Sequence, residues 1–322
     1  MDKTIKTLFA QVELQKVVLL GIIAAITILL SIVSPNFFMV SNFTNVLLQV
    51  AVIIIIASAA NLLMITTNFD LSVGSVLAFS GIIHAYMCKH GIPIGWSIVI
   101  TCAGGIVWGA INSLTVGVLN INPVIATMGT MYAARGFAFL IARWDGGANI
   151  MTGLPMEFVN FGRNLIFGKI PLAILFTALA IAIFMFIEKK TILGRFVYAI
   201  GGNASAAKLS GINVVGVISL LYIIIGLLSA LCGVLQASRV GLAAPNVGRD
   251  LEFDVIIAIV LGGTSMLGGE GSTFGMILGA LIVGLAANGL NLNGVPYFYQ
   301  TVVKGLLLIS AVLIDQKIRN RG

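Results

Sequence analysis

The 322-residue chain has little charge, with only 11 acidic and 18 basic residues. Charged residues make up 9% of the sequence, whereas about 25% is usual in soluble proteins. Hydrophobic residues make up 59% of the chain and the mean hydropathy is +1.10. So few charges cannot solvate the surface of a 33.8 kDa globule of this composition. This excludes a water-soluble enzyme, a disordered protein and a disulfide-rich scaffold, and predicts an integral membrane protein.

Residues that serve metal, redox and nucleotide chemistry are also scarce. The three cysteines form no CxxC pair, and His84 and His90 are isolated, so neither residue type indicates a metal site. No GxxxxGK[ST] phosphate loop occurs, because the glycine-rich residues 262–271 contain no lysine. No nucleophile–base set can be assembled. We therefore expect neither an enzyme nor a cofactor held by this chain.

Apolar stretches dominate what remains, and we count ten that are candidates to span a membrane. They run over residues 17–33, 46–66, 73–88, 94–119, 124–142, 171–187, 214–237, 255–267, 274–290 and 298–314. The third and eighth are shorter than the roughly 20 residues of a full crossing and are flanked by polar residues, so we expect each to be broken or tilted. The sequence predicts one domain over residues 1–322, with a cytoplasmic tail over 1–16.

The basic residues between these stretches predict their orientation. With ten spans, the predicted cytoplasmic side holds Lys3, Lys6, Lys16, Lys189, Lys190, Arg195, Lys208, Lys317, Arg319 and Arg321. The predicted outer side holds Lys89, Arg143, Arg163, Lys169, Arg239 and Arg249. This bias favours a cytoplasmic location for both termini.

An internal repeat is suggested by two similar segments, Phe69–Leu77 and Phe253–Leu261. They accompany the third and eighth stretches, and an odd number of crossings between them would make the two halves inverted. Inverted repeats with short, glycine-containing spans in matching positions are typical of transporters. Chance similarity between short apolar segments is the alternative.

A segment over residues 188–213 has a distinct local pattern. Asn203 is predicted to cap a short helix over Ala204–Leu209 that ends at Gly211. Small side chains are predicted to let this helix enter a groove of a partner: Ala206, Ala207, Ser210 and Gly211. An ordinary solvated connector is the alternative.

Together with this segment, motifs along nearly the whole chain resemble those of the permease subunits of bacterial ATP-driven sugar importers, in the ribose and monosaccharide branch. These motifs are Ser34–Phe38, Asp70–Ser75, Thr191–Asn213, Leu261–Ser265, Gly268–Gly271, Asn288–Leu292, and Tyr299–Gln300 with Lys304. One departure is Asn68-Phe69, where this family commonly has Gly-Ile.

The resemblance implies about ten spans per subunit, a second permease subunit, an outer sugar-binding protein, and a separate ATPase that holds ATP and magnesium. A homodimer is expected, with a paralogous second permease as the alternative. The ATPase would dock on the segment 188–213, which we name the coupling loop. Its predicted coupling residues are Gly194, Arg195, Gly201, Asn203, Ala206, Ala207, Ser210 and Gly211. Gly201 and Gly211 are predicted hinges, and Arg195 is predicted to meet an acidic surface or lipid headgroups.

A sugar pathway needs neutral hydroxyl partners and flat apolar faces more than charge. The candidates are Asn68, Asp70, Ser72, Phe79, Asn112, Asp254, Asn288, Asn291 and Gln300. Hydrogen bonding between helices explains most of them equally well. Four ionisable residues lie within or at the ends of spans and either pair or contact substrate: Asp70, Arg135, Asp254 and Lys304. We predict that Asp70 and its repeat mate Asp254 organise helix entries and do not bind protons.

The sequence thus predicts an all-α polytopic protein of the inner membrane, with about ten transmembrane helices and an inverted repeat. Its predicted function is that of an importer permease for a small sugar, ribose or a related monosaccharide. The alternative is an ion- or proton-coupled carrier that works alone, and such a carrier would need Asp70 or Asp254 as a titrating acid.

Overall fold

The computed structural model of the protein describes residues 3–144, 149–166, 168 and 170–319. The predicted outer charge Lys169 and the predicted cytoplasmic charge Arg321 lie outside the described residues. The regular structure of the described residues is helical, apart from a short antiparallel hairpin in which β1 (Leu165–Ile166) pairs with β2 (Ile170–Pro171) and an isolated antiparallel bridge between Met151 and Ala243.

The helices of the first half are α1 (Lys3–Val33), α2 (Val40–Ile65), α3 (Val73–Lys89), α4 (Ile94–Asn112), α5 (Pro123–Trp144) and α6 (Met156–Arg163). A wide π-helical turn, Ser113–Val118, continues α4. The helices of the second half are α7 (Leu172–Lys190), α8 (Ile192–Gly202), α9 (Ala204–Leu209), α10 (Val214–Val240), α11 (Leu251–Leu261), α12 (Thr273–Leu292) and α13 (Tyr297–Arg319).

Each of the ten predicted apolar stretches lies on a helix, which confirms an all-α membrane protein. Within the part of the chain that the structure describes, seven helices are long and apolar enough to cross a membrane: α1, α2, α4 with its π turn, α5, α7, α10 and α12. The helix α3 and the apolar part of α13 are shorter, and α11 has only 11 residues. The number of ten crossings therefore stays a prediction, as does the inverted repeat.

One predicted boundary was wrong. The eighth stretch was expected to run to residue 267, but α11 ends at Leu261 because the chain turns there, with Gly263 in the left-handed region (φ 90°). Residues 3–16 of the predicted tail are helical and continuous with α1, and the cytoplasmic location of the tail stays a prediction. The amphipathic helices α6 and α8 were not predicted.

The core of the fold surrounds α2. Every residue from Ile53 to Ile65 is buried, and α2 contacts α7, α8, α10, α11 and α12. A helix that is apolar on all sides lies either in lipid or among other helices, and the burial of α2 shows that other helices enclose it here. Hence α2 lies at the centre of the helix bundle.

Two helices, α3 and α11, begin inside the protein and not at its surface. The first residues of α3 are buried, and so are Leu251 and Glu252 at the start of α11. The chain after α10 folds back so that Gly248 lies against Gly74, where a Cβ on Gly74 would overlap the Gly248 carbonyl oxygen. We name this contact the helix junction. Both short helices thus begin against buried backbone, and the expectation that they are broken or tilted in the membrane stays a prediction.

Candidate functional site

The coupling loop, residues 188–213, contains two helices in place of the one predicted. Asn203 Oδ1 accepts a hydrogen bond from Ala206 N at 2.9 Å, and Gly211 ends α9 with φ 84°. The short helix Ala204–Leu209 and both of its ends are therefore confirmed. The preceding helix, α8, is capped by Thr191, whose hydroxyl accepts from Gly194 N at 3.3 Å. Its apolar residues Val197 and Ile200 are buried.

The helix α8 is fixed to the bundle by a half-buried tyrosine. Tyr198 Oη donates to the Gly271 carbonyl at 2.8 Å and to Glu188 Oε1 at 3.3 Å. The other oxygen of Glu188 accepts from Thr273 N at 2.7 Å, at the start of α12. Burial and the neighbouring Glu188 raise the pKa of Tyr198, so the hydroxyl stays a donor at physiological pH. The ends of α7, α8 and α12 are thereby joined.

Close backbone packing at Gly201 adds a second attachment. A Cβ at Gly201 would overlap the Ile65 carbonyl oxygen and lie 2.5 Å from Gly269 N. Gly269 N itself donates to the Ile65 carbonyl at 2.9 Å. Gly201 is thus a point of close backbone contact, and its role as a hinge stays a prediction. Gly211 instead has open space around it.

The exposed face of α9 differs from the predicted one. Ala207 is 5% exposed and packs against its own chain, so the expectation that it faces a partner was wrong. Ala206 and Ser210 are exposed, as is Arg195 on α8. The most prominent side chain is Leu209, which is 90% exposed and was not among the predicted residues. An isolated leucine at the end of a polar helix was a usable signal in the sequence.

Asp70 is the centre of a buried hydrogen-bond network at the entry to α3. Its Oδ1 accepts from Ser72 N at 2.8 Å and from Ser72 Oγ at 2.6 Å. Asn112 Nδ2 donates to Ser72 Oγ at 2.9 Å and to Asp70 Oδ2 at 3.2 Å, and Asn112 Oδ1 accepts from Thr130 at 2.6 Å. The network joins α3, α4 and α5, and Asn112 directly precedes the π turn. These groups satisfy one another, which supports a structural role.

The four predicted charges pair only in part. Lys304 Nζ lies 2.7 Å from Asp254 Oδ2, joining α13 to α11. Arg135 donates to backbone carbonyls, including that of Val247 at 2.8 Å, and so holds the segment before α11. Asp70 precedes α3 by three residues, whereas Asp254 is the fourth residue of α11. The two aspartates therefore do not occupy equivalent positions in their helices.

The remaining predicted pathway residues lie apart from one another. Asn288 pairs with Asn42 between α12 and α2, at 2.7 Å from Asn288 Nδ2 to Asn42 Oδ1. Gln300 Nε2 donates to Asn291 Oδ1 at 2.9 Å. Within the loop before α3, Asn68 Nδ2 donates to the Thr66 carbonyl. Phe79 packs edge-on against Trp108. The structure does not gather these side chains at one site.

A polar cavity of about 180 Å³ lies instead between α2, α10, α11 and α12. Four polar residues line it: Gln49, Gln236, Arg239 and Asp254. Only Asp254 was predicted. The others were missed because one polar residue in an apolar helix leaves no periodic pattern. Gln49 lies 16 residues before Ile65, so the cavity is about 24 Å along α2 from the end that contacts α8.

A bundle of apolar helices with two helix starts inside it, a polar cavity toward one end and an exposed short helix at the other defines a membrane permease. Residues 42–312 match the family described as branched-chain amino acid transport system/permease component. The chain belongs to this family.

Similar proteins agree with this assignment. The chain is 41% identical to the ribose import permease protein of Bacillus subtilis, over 91% of this chain and 90% of that protein. It is 36% identical to the ribose import permease protein of Escherichia coli K12, covering 91% and 92%. It is 37% identical to the galactose/methyl galactoside import permease protein of Haemophilus influenzae, covering 92% and 91%. No solved structure matches the chain.

Proposed function

We propose that the chain is the membrane-spanning subunit of an ATP-driven importer for a monosaccharide, with ribose as the substrate. The observation that carries this proposal is the identity of 36–41% to ribose import permeases over about nine tenths of the chain. The coupled-carrier alternative has no such support. In addition, a proton-coupled carrier would need Asp70 to bind and release a proton. The carboxylate of Asp70 already accepts hydrogen bonds from Ser72 and Asn112.

The proposed importer needs an ATPase, which would be a separate subunit. We propose that this ATPase binds to α9. The helix exposes Ala206, Leu209 and Ser210, whereas Ala207 is buried against the rest of the chain. Leu209 would insert into an apolar pocket of the ATPase, because burying a leucine contributes about 2 kcal/mol. A movement of the ATPase would be transmitted from α9 to the helix bundle through the contacts of Tyr198 and Gly201.

The remaining parts of the assembly follow from the same proposal. The membrane is the bacterial inner membrane, and both termini are cytoplasmic, on the same side as α8 and α9. A second copy of the chain completes the pore, and a periplasmic binding protein delivers the sugar to the opposite end, near α6. ATP and magnesium stay on the ATPase.

The test is uptake into proteoliposomes that hold the permease, its ATPase and the binding protein. Wild type should accumulate D-ribose when ATP is supplied and should not accumulate L-leucine, the alternative that the family description raises. Leu209→Glu should abolish ribose uptake and release the ATPase during co-purification, without a change in thermal stability, because the site is exposed.

Leu209→Met is the matched control, since it keeps an apolar side chain of similar size. This variant should retain both ribose uptake and binding of the ATPase during co-purification. Ala207→Glu is not a clean test, because it would bury a carboxylate within the chain itself. ATP-independent ribose uptake, or accumulation of L-leucine in place of ribose, would overturn the assignment. Normal ATPase retention by Leu209→Glu would overturn the docking role of α9.

A further inference from the structure

Glu188 lies in the last turn of α7, where its charge is unfavourable for its own helix. The C-terminal end of a helix carries partial negative charge, which suits the neighbouring Lys189 and Lys190 but not a carboxylate. Glu188 also lies at the N-terminal end of α12, where its Oε2 accepts a hydrogen bond from Thr273 N at 2.7 Å. The partial positive charge of that end favours the carboxylate. The helix α12, and not α7, therefore accounts for an acidic side chain at this position.

The same side chain also contacts the helix α8 of the coupling loop. The Tyr198 hydroxyl lies 3.3 Å from Glu188 Oε1 and 2.8 Å from the Gly271 carbonyl oxygen. The start of α8 is packed on the end of α7, because a Cβ on Gly194 would overlap the Glu188 carbonyl oxygen. A displacement of α8, which leads directly into α9, is therefore passed to Glu188 and to the start of α12.

The start of α12 is in turn packed tightly on the end of α11. A Cβ on Gly275 would overlap the Gly262 carbonyl oxygen, and a Cβ on Gly279 would overlap that of Ala258. We name α11, α12 and the turn between them, residues 262–272, the α12 block. Backbones in such close contact have no room to slide past each other, so a force on the start of α12 displaces the whole block.

The helix that follows α9 in the chain, α10, is joined to it less tightly. The connection passes through Gly211, which has φ 84° and open space around it. The helix α10 packs chiefly on α3 and α4, where a Cβ on Gly105 would overlap the Gly226 carbonyl oxygen. We name these three helices, with the π turn of α4, the α10 block. The cavity of about 180 Å³ between α10 and the α12 block leaves room for the two blocks to shift relative to each other.

We infer that Glu188 is a positioning residue for coupled transport, which passes a movement of α8 and α9 to the α12 block and shifts that block against the α10 block. The inference rests on the proposed function, in which an ATPase bound to α9 supplies the movement. It adds the residue and the helices through which the movement acts. The helices that respond are thus α11 and α12, and not α10, although α10 directly follows the coupling loop in the chain.

The test measures D-ribose uptake and ATP hydrolysis together in proteoliposomes that hold the complete importer. Glu188→Ala removes both acceptor oxygens and should lower uptake per ATP hydrolysed by about fivefold, as expected for the loss of one hydrogen bond. Glu188→Gln can still accept from Thr273 N and contact Tyr198, so its uptake per ATP should stay within about twofold of wild type. Phe186→Ala, which truncates an exposed side chain of α7, is the control and should match wild type.

Uptake per ATP separates a positioning role from a merely structural one. Unfolded or poorly assembled protein lowers uptake and the ATP hydrolysis stimulated by the binding protein together, and so leaves their ratio unchanged. The amount of ATPase that co-purifies with Glu188→Ala should also match wild type, because this substitution leaves the exposed face of α9 intact.

A distance measurement covers the case in which Glu188→Ala does not assemble. The importer keeps Glu188, its three native cysteines are replaced by alanine, and spin labels are placed at exposed positions. Labels at Leu220 of α10 and Phe274 of α12 report the separation of the two blocks, whereas labels at Leu220 and Leu114 report a distance within the α10 block. On addition of ATP, pulsed EPR should show a change of about 2 Å or more in the first distance and none in the second.

The two proposals fail in different ways. If wild type does not take up ribose, the proposed function is wrong, while the two EPR distances still decide the present inference. If wild type takes up ribose and Glu188→Ala matches it in uptake per ATP, the positioning role of Glu188 is overturned. A distance between the blocks that stays constant when ATP is added overturns it as well.

Discussion

The coupling loop and the helix junction illustrate two ways in which a sequence specifies structure. In the coupling loop, a cap at Asn203 and a left-handed Gly211 define α9 from residues that are near one another in sequence. At the junction, Gly74 meets Gly248, which lies 174 residues further along the chain. The helix α9 is thus locally encoded and exposes most of its side chains, whereas the junction depends on backbone contact between distant segments. A change at the junction should therefore affect the whole bundle.

The largest effect is expected from Gly74→Ala. The added methyl would overlap the Gly248 carbonyl, and neither backbone can move without shifting a helix start. We expect a loss of about 3 kcal/mol in the free energy of unfolding, at the upper end of the range for overpacking. Thermal unfolding of the purified permease in detergent measures it.

Gly136→Ala is the matched control, because nothing lies within 4 Å of a Cβ at that position of α5. It should be neutral or slightly stabilising, since alanine favours a helix over glycine. Equal midpoints for the two variants would show that the junction is not closely packed.

An intermediate effect is expected where the coupling loop meets the bundle. Gly201→Ala would press against the backbone of Ile65 and Gly269 and should cost about 2 kcal/mol. It should also reduce uptake per ATP, because α8 would separate from α2. Thermal unfolding and coupled uptake in proteoliposomes measure the two effects.

Gly202→Ala, at the adjacent position, is the control. It makes the same change of residue, but the added methyl lies in open space. It should match wild type in both measurements. If the two alanine variants behave alike, the segment is attached loosely and the comparison between the two regions fails.

The smallest effect is expected from Tyr198→Phe, which removes the hydrogen bonds to Gly271 and Glu188. The loss should be about 1 kcal/mol. Because the folded-state pKa of Tyr198 is raised above its ordinary value of 10, the contribution is fully present below pH 10 and is lost only at higher pH. The difference from wild type in chemical denaturation should therefore stay constant between about pH 6 and pH 9.

Tyr132→Phe controls for this substitution, because Tyr132 is exposed on α5. It should leave the unfolding free energy unchanged. A difference between wild type and Tyr198→Phe that varies across this pH range would mean that another group titrates at the attachment.

The sequence predicts features that depend on neighbouring residues better than those that depend on distant ones. The apolar stretches and α9 were predictable from composition and capping, and α8 was within reach because Leu193, Val197 and Ile200 follow a helical period. The partner of Asp70, Asn112, is 42 residues away, and no local pattern indicates that contact. The cavity is less predictable still, since Gln49 and Gln236 line a common space only after four helices have assembled.

The shortness of α11 has a consequence for how the protein is made. Its 11 residues extend only about 16 Å, roughly half of the hydrocarbon thickness of a bilayer. Such a segment is not apolar over a sufficient length to enter a membrane by itself as it leaves the ribosome. It must be drawn in between α2, which is synthesised before it, and α12 and α13, which are synthesised after it. Placement of α11 is thus a late step of biogenesis, because the helices that enclose it, α12 and α13, emerge after it.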